Sequence, residues 1–195
     1  MNTQARLIGS VFETRNLHLA AVDPETDAVI EATWMTDQAY SEDRRPSPAR
    51  PASVSELKSL MQTDLKRMKN SADFIIFSVH RNLDERLTGF IRYDLLLWNH
   101  RSGRMKILFG GQESFSRYGR ELLDLCLNYV FTEMNFHHIS VAYPEYRQDA
   151  IDLHLEAGFQ EEVRRRQAHF YHGRYWDLVH LGLLKSDWKK ISEES

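Results

Sequence analysis

Cysteine is nearly absent, with Cys126 the only one in 195 residues. One thiol can neither close an internal disulfide nor build a thiolate metal cluster. A disulfide-stapled scaffold and a zinc-finger reading are therefore excluded, and a reducing compartment is expected. No apolar run approaches the roughly 20 residues that a membrane span needs. Met1 to Ser10 carries neither the basic region nor the apolar stretch of a secretion signal. These absences predict a cytoplasmic protein with no membrane partner. Charge of one sign is also missing: 25 Lys and Arg stand against 28 Asp and Glu, a net charge of -3, so no nucleic-acid partner is expected. The densest basic run, Arg164-Arg165-Arg166, has Glu161 and Glu162 beside it and reads as the solvated face of a strand. What is present is globular composition, 42% hydrophobic and 27% charged, suited to a single domain over residues 1–195 with 191–195 as a frayed tail.

Hydrophobic periodicity predicts mixed α/β structure. Val11 to Ala21 reads as a first strand. Asp23-Pro24 then resembles an N-cap followed by proline at the first helical position, with the helix running through Ile30 and Trp34. Pro46, Pro48 and Pro51 make 41–53 an exposed loop. After Ser53, Leu57, Leu60, Met61, Leu65 and Met68 recur at helical spacing. Phe74 to His80 and Leu87 to Leu97 form an antiparallel pair, and Met105 to Phe109 is a further short strand ending in Gly110-Gly111. Leu122, Leu123, Cys126, Val130, Phe131 and Met134 share one face of a helix from about Tyr118 to Met134. His138 to Tyr143 is a buried-type strand. Asp149 to Ala157 is a short helix closed by Gly158, and Phe159 to Tyr171 and Tyr175 to Leu184 are the last two strands. Strand, helix and strand between Met105 and Tyr143 imply a parallel crossover. The residues from Gly110 to Tyr118 then form a loop at a helix N-terminus, suited to a phosphate-bearing ligand.

Ala150-Ile151-Asp152-Leu153-His154-Leu155-Glu156-Ala157-Gly158-Phe159 resembles the A-I-x-L-Y-E-K-x-G-F segment of the GNAT superfamily of acyl-CoA-dependent N-acyltransferases. Val163-Arg164-Arg165, then Gly173-Arg174-Tyr175-Trp176-Asp177, and Leu183-Leu184 with Asp187-Trp188, are similar to that family's closing motifs. Within it the chain resembles the ribosomal-protein N-terminal acetyltransferase-like group. The resemblance implies an α/β (α+β) fold: a mixed, mostly antiparallel central sheet, helices on both faces, and a splayed parallel strand pair that opens after Phe109. It also implies acetyl-CoA or another acyl-CoA as co-substrate, wedged at the splay, with its diphosphate on the loop before the long helix. Leu108, Phe109, Gly110, Ser114, Ser116, Arg117, Tyr118, Gly119 and Arg120 would then bind cofactor. The family's loop is Q/R-x-x-G-x-G, and here Gly119 alone matches its glycines clearly. Arg147 stands where the family often has Asn and joins the cofactor set. His154 stands where the family has a Tyr that protonates the departing thiolate, and would take that role.

Attack by an amine on a thioester needs a neutral amine, a polarised carbonyl and a protonated leaving group. Backbone N–H groups near Leu108 to Gly110 are the expected polarisers. Glu113 is the candidate base, with His100 and Glu13 as others, and Trp34, Tyr40, Trp98 and Tyr171 are candidate walls for the acceptor. No metal is expected: His137 and His138 point to opposite faces of a strand, and no carboxylate–histidine set stands at i, i+4. The partners expected are acyl-CoA and a primary amine of a small molecule or a protein N-terminus, and a homodimer is left open. The alternative is a catalytically impaired member of the same fold, serving as a CoA-binding sensor or an interaction module.

Overall fold

The computed structural model describes residues 10–44 and 49–194. Its elements are β1 (Leu17–Ala20), α1 (Asp27–Trp34), α2 (Gln38–Arg44), α3 (Val54–Asn70), β2 (Ile75–Arg81), β3 (Leu87–Leu97), β4 (Ser102–Phe109), α4 (Gln112–Asn128), β5 (His138–Pro144), α5 (Gln148–Glu156), β6 (Gln160–Tyr171), β7 (Arg174–Leu184) and α6 (Lys185–Glu194). The strands pair in the order β1-β2-β3-β4-β5-β7-β6. β4 and β5 run parallel, whereas β1–β2, β5–β7 and β6–β7 are antiparallel. Mostly antiparallel pairing with one parallel pair and a helix between its strands is the expected architecture.

These elements fall into two compact units. One runs up to Arg92 and takes in Ile107–Tyr129; the other comprises Tyr93–Lys106 and the chain from Val130 onward. In the first, Ala28 of α1 and Met35 just after it, Leu57 and Met61 of α3, Ile76, Phe90 and Leu108 form one buried cluster. A large apolar side chain taken fully out of water contributes about 1.5–3 kcal/mol. In the second, alternate residues of β5 and β7 are buried, among them Ile139, Val141, Val179, Leu181 and Leu183, and the Phe131 ring lies 5.1 Å from Trp188 of α6. β6, an edge strand, is exposed over most of its length and carries several charges. There Arg164 pairs with Glu161 at 2.8 Å, the solvated strand face foreseen for the basic run.

Several boundaries differ from the sequence reading. β1 is shorter than Val11 to Ala21 because the chain turns back at Thr14, whose amide donates to the Leu17 carbonyl and whose hydroxyl accepts from the Leu17 amide. Asp23 does not cap α1. Its carboxylate instead accepts from the Glu25 amide and the Thr26 hydroxyl, closing a turn ahead of a helix that begins at Asp27. The supposed exposed loop begins inside α2, with Ser41 and Arg44 buried, while Pro46 and Pro48 lie outside the described residues. The long helix passes into a π turn over Tyr129–Glu133. α6 extends to Glu194, into the expected tail.

The start of α3 is as read: Ser53 is extended and its hydroxyl accepts from the Glu56 amide at 3.2 Å. Ser53→Ala leaves that amide without its cap, and thermal unfolding should show a loss of about 1 kcal/mol, roughly 2–4 °C.

Candidate active site

The parallel ladder is brief. It joins Ser102, Gly103 and Arg104 to His138, Ile139 and Ser140 and ends there, although β4 continues to Phe109. Divergence was expected after Phe109, so the pairing stops sooner. At the end of β4 the Gly110 amide donates to the Thr88 carbonyl of β3 at 2.9 Å. Successive amides of a strand point to opposite edges, so the Phe109 N–H is turned to the edge away from β3. Of Leu108, Phe109 and Gly110, Phe109 is thus the one whose N–H faces away from β3.

The segment after β4 overturns an expectation. Gly111 has φ +153°, a conformation that side-chain-bearing residues rarely adopt, and α4 begins at once with Gln112. Ser114, Phe115, Ser116, Arg117, Tyr118, Gly119 and Arg120 are therefore helical, not loop. From Phe115, whose amide donates to Gly111 O at 3.2 Å, the backbone N–H groups serve the helix itself. Those of Gln112, Glu113 and Ser114 precede that ladder at the positive end of the dipole. A helix end thus stands where a glycine loop was expected. Of the residues expected to bind cofactor, Tyr118 and Gly119 are buried, Arg117 lies 5.2 Å over the Tyr118 ring, and Arg120 pairs with Asp124 at 3.0 Å. Phe115 folds back onto Phe109, ring centroids 5.6 Å apart. Glu113 is exposed in the first turn of α4, His100 is exposed beyond β3, and Glu13 is exposed and bridges to His18.

In the second unit, His154 is 1% exposed on α5. Its Nδ1 stands 2.8 Å from the Ala150 carbonyl oxygen, which only accepts, so Nδ1 carries the proton. Nε2 is then a bare lone pair, buried and with no partner among the described residues. The ring lies 5.1 Å from Tyr143 and 5.0 Å from Phe159. Burial pushes its pKa down to about 4, against a small opposing pull from the Ala150 carbonyl. A neutral imidazole with its one proton bound to its own helix has none to give a thiolate. The acid role expected for His154 is therefore withdrawn. Arg147 stands just before α5 and pairs with Asp149 at 3.3 Å.

The four aromatic candidates fall two in each unit. Trp98 stands edge-on to Phe136 at 5.1 Å, and Tyr171 stacks on Tyr146 at 4.4 Å. In the first unit Trp34 and Tyr40 do meet, at 5.5 Å, and Trp34 also stands edge-on to Phe90 at 6.2 Å. The indole covers Gly110 so closely that a Cβ there would lie 2.1 Å from it. Behind the pair is a buried ionic chain that sequence reasoning missed. Glu31 is 0% exposed, and its Oε1 accepts from the Tyr40 hydroxyl at 2.9 Å and from Arg44 Nε at 2.6 Å. Arg44 reaches Asp64 of α3 at 3.3 Å, and Arg92 of β3 reaches Asp64 at 3.8 Å. Burial raises the Tyr40 pKa well above the usual phenol value, and the Glu31 charge adds to this. Burial alone would lower the pKa of Arg44, but Glu31, Tyr40 and Asp64 outweigh it and hold the guanidinium charged. One signal was available in the sequence, since Glu31 stands one helical turn after Ala28 and Asp27, the other buried residues of α1.

Among the described residues no group of three or more His, Cys, Asp or Glu is placed to hold a metal ion, and no helix is long and apolar enough to cross a membrane. The acetyltransferase (GNAT) domain family matches residues 26–180. The spermidine N(1)-acetyltransferase of Vibrio cholerae is 27% identical over 143 residues, 72% of this chain and 79% of that protein. Among solved structures, a spermidine N-acetyltransferase from Vibrio cholerae in complex with CoA and spermine superposes with TM-score 0.74 at 24% identity, covering 89% of this chain and 98% of that one. A dodecameric form of that enzyme gives TM-score 0.72 at 24% identity over 90% and 98%. These two likenesses establish the fold. The relatives point to spermidine acetyltransferases and not specifically to the ribosomal-protein N-terminal group.

Proposed function

Because the chain belongs to the acetyltransferase (GNAT) domain family, we propose that it transfers an acetyl group from acetyl-CoA to a primary amine of a small polycationic molecule such as spermidine. The observation that carries this reading is the end of β4, where the Phe109 N–H faces away from β3 while Gly110 still donates to Thr88, and the N-terminal turn of α4 follows at once. Acetyl-CoA, when bound, supplies an activated carbonyl and a thiol leaving group. The chain's own part is to hold and polarise. Phe109 N–H donates to the carbonyl oxygen, and the amides of Gln112, Glu113 and Ser114 meet the diphosphate. The new C–N bond forms as C–S breaks, and the amine's surplus proton leaves for sulfur or solvent. An amine with a pKa near 10 is scarcely neutral at pH 7, so a base speeds the reaction. Glu113 is the exposed carboxylate nearest in sequence to the polarising amide. A cationic acceptor accords with the spermidine acetyltransferase relative and with Asp37, Glu42 and Asp43 on and beside α2.

The test is thiol release from acetyl-CoA across spermidine, spermine, an aminoglycoside and a peptide N-terminus, with products identified by mass spectrometry. The expected result is turnover with the polyamines well above the peptide. Preference for the peptide would reject the acceptor class. Thermal stabilisation by acetyl-CoA without turnover on any amine would favour the sensor reading; ligand at about 100 times its dissociation constant adds roughly 2.7 kcal/mol.

A further inference from the structure

The indole of Trp34 lies where the side chain of residue 110 would be. Its Cε2, Cζ2 and Cδ2 atoms stand 2.1, 2.3 and 2.6 Å from the position of a Gly110 Cβ. Gly110 follows Phe109, whose N–H is the donor turned away from β3, and successive Cα atoms are about 3.8 Å apart. A carbonyl oxygen held at about 2.9 Å from that N–H therefore sits one residue along the chain from the glycine that the indole covers. We propose that Trp34 is the wall that limits the length of the transferred acyl group, restricting the enzyme to acetyl. This inference rests on the acetyl-transfer reading and deepens it.

A wall selects by length only if it cannot swing aside, and this one is braced. Tyr40 stands edge-on to the indole at 5.5 Å and Phe90 at 6.2 Å. Tyr40 is itself pinned by its hydroxyl hydrogen bond to Glu31, 2.9 Å long. Glu31 is fixed in turn by Arg44, which reaches Asp64 of α3. Three helices thus support one ring: Tyr40, against which the indole packs, cannot shift without breaking its hydrogen bond to a desolvated ionic chain. In a hydrophobic pocket each excess methylene is rejected by about 10- to 200-fold. Gly110 is part of the same device: its missing side chain lets the indole reach the strand.

The experiment compares wild type with Trp34→Ala and Trp34→Leu, each first shown to unfold cooperatively. Calorimetry measures the affinities of non-hydrolysable acetyl-CoA and butyryl-CoA analogues, and thiol release gives kcat/KM for the two thioesters. The expected result is a butyryl-to-acetyl ratio at least tenfold higher in Trp34→Ala than in wild type, in binding and in turnover, with Trp34→Leu between them. An unchanged ratio in Trp34→Ala, with wild type active on acetyl-CoA, overturns the inference and leaves the acetyl-transfer reading standing. Wild type that neither binds nor turns over either thioester overturns both.

Discussion

Glu31→Ala lowers the free energy of unfolding by about 3–5 kcal/mol, the cost of breaking a buried ion pair from one side. The Arg44 side chain is 2% exposed and would keep its charge with Asp64 alone as partner, and the Tyr40 hydroxyl would lose its acceptor. For a chain of this length the loss corresponds to a melting temperature lower by about 6–20 °C. The control is the double variant Glu31→Leu with Arg44→Met, which removes both charges and should recover most of the loss, since apolar groups of similar volume replace buried pairs at little cost. A single variant within 1 kcal/mol of wild type, or a double variant as unstable as the single, would show that the Glu31–Arg44 pair does not organise α1 and α2. Denaturant titration with unchanged m-values is the measurement that reads this cleanly.

The second large effect is a dependence of stability on pH. His154 has a pKa of about 4 in the folded chain against an ordinary 6.5. Above pH 6.5 the imidazole is neutral in both folded and unfolded states and costs nothing. Between 6.5 and 4 the unfolded chain takes up a proton that the folded chain refuses, so stability falls as pH falls. Below 4 the loss levels off at about 3 kcal/mol. Carboxylates titrate in the same window, and His154→Phe isolates the histidine part by difference. The variant should lose about 3 kcal/mol less than wild type between pH 7 and pH 4. Parallel stability curves would mean that His154 charges freely in the folded state, which would restore it as a candidate acid.

The residues that define the fold were legible to different degrees, for reasons visible in the chain. β3 runs over Leu87–Leu97 as read, because its apolar run is bounded by polar turns. α3 begins at Ser53 as read, because a capping hydroxyl followed by apolar residues at helical spacing is a local signal. The start of α4 was misplaced. Ser114, Phe115, Ser116 and Arg117 carry no clear apolar stripe, and two preceding glycines suggested a longer loop than the single turn that Gly111 makes. Arg44 ends α2 although the prolines that follow it suggest a loop, since a helix can form ahead of a proline-rich stretch.

Trp34 and Tyr40 were named as walls and do stand together, whereas Trp98 and Tyr171 belong to separate aromatic pairs. Glu31 went unnoticed because a charge on an apolar stripe has meaning only once its counter-charge is known, and Arg44 and Asp64 arrive from other helices.

The order and kind of the elements, the closing motifs of the last third and the absence of disulfide scaffolding were determined by the sequence alone, since periodicity, turn residues and composition act over short distances along the chain. Only the tertiary structure decided which amide at the end of β4 faces away from β3, that His154 is buried with Nδ1 against the Ala150 carbonyl, and that the Trp34 indole covers Gly110 while Glu31 holds Tyr40 and Arg44. Each of those depends on burial and on partners brought together by folding, and desolvation and hydrogen bonding between such groups cannot be summed from neighbours in sequence.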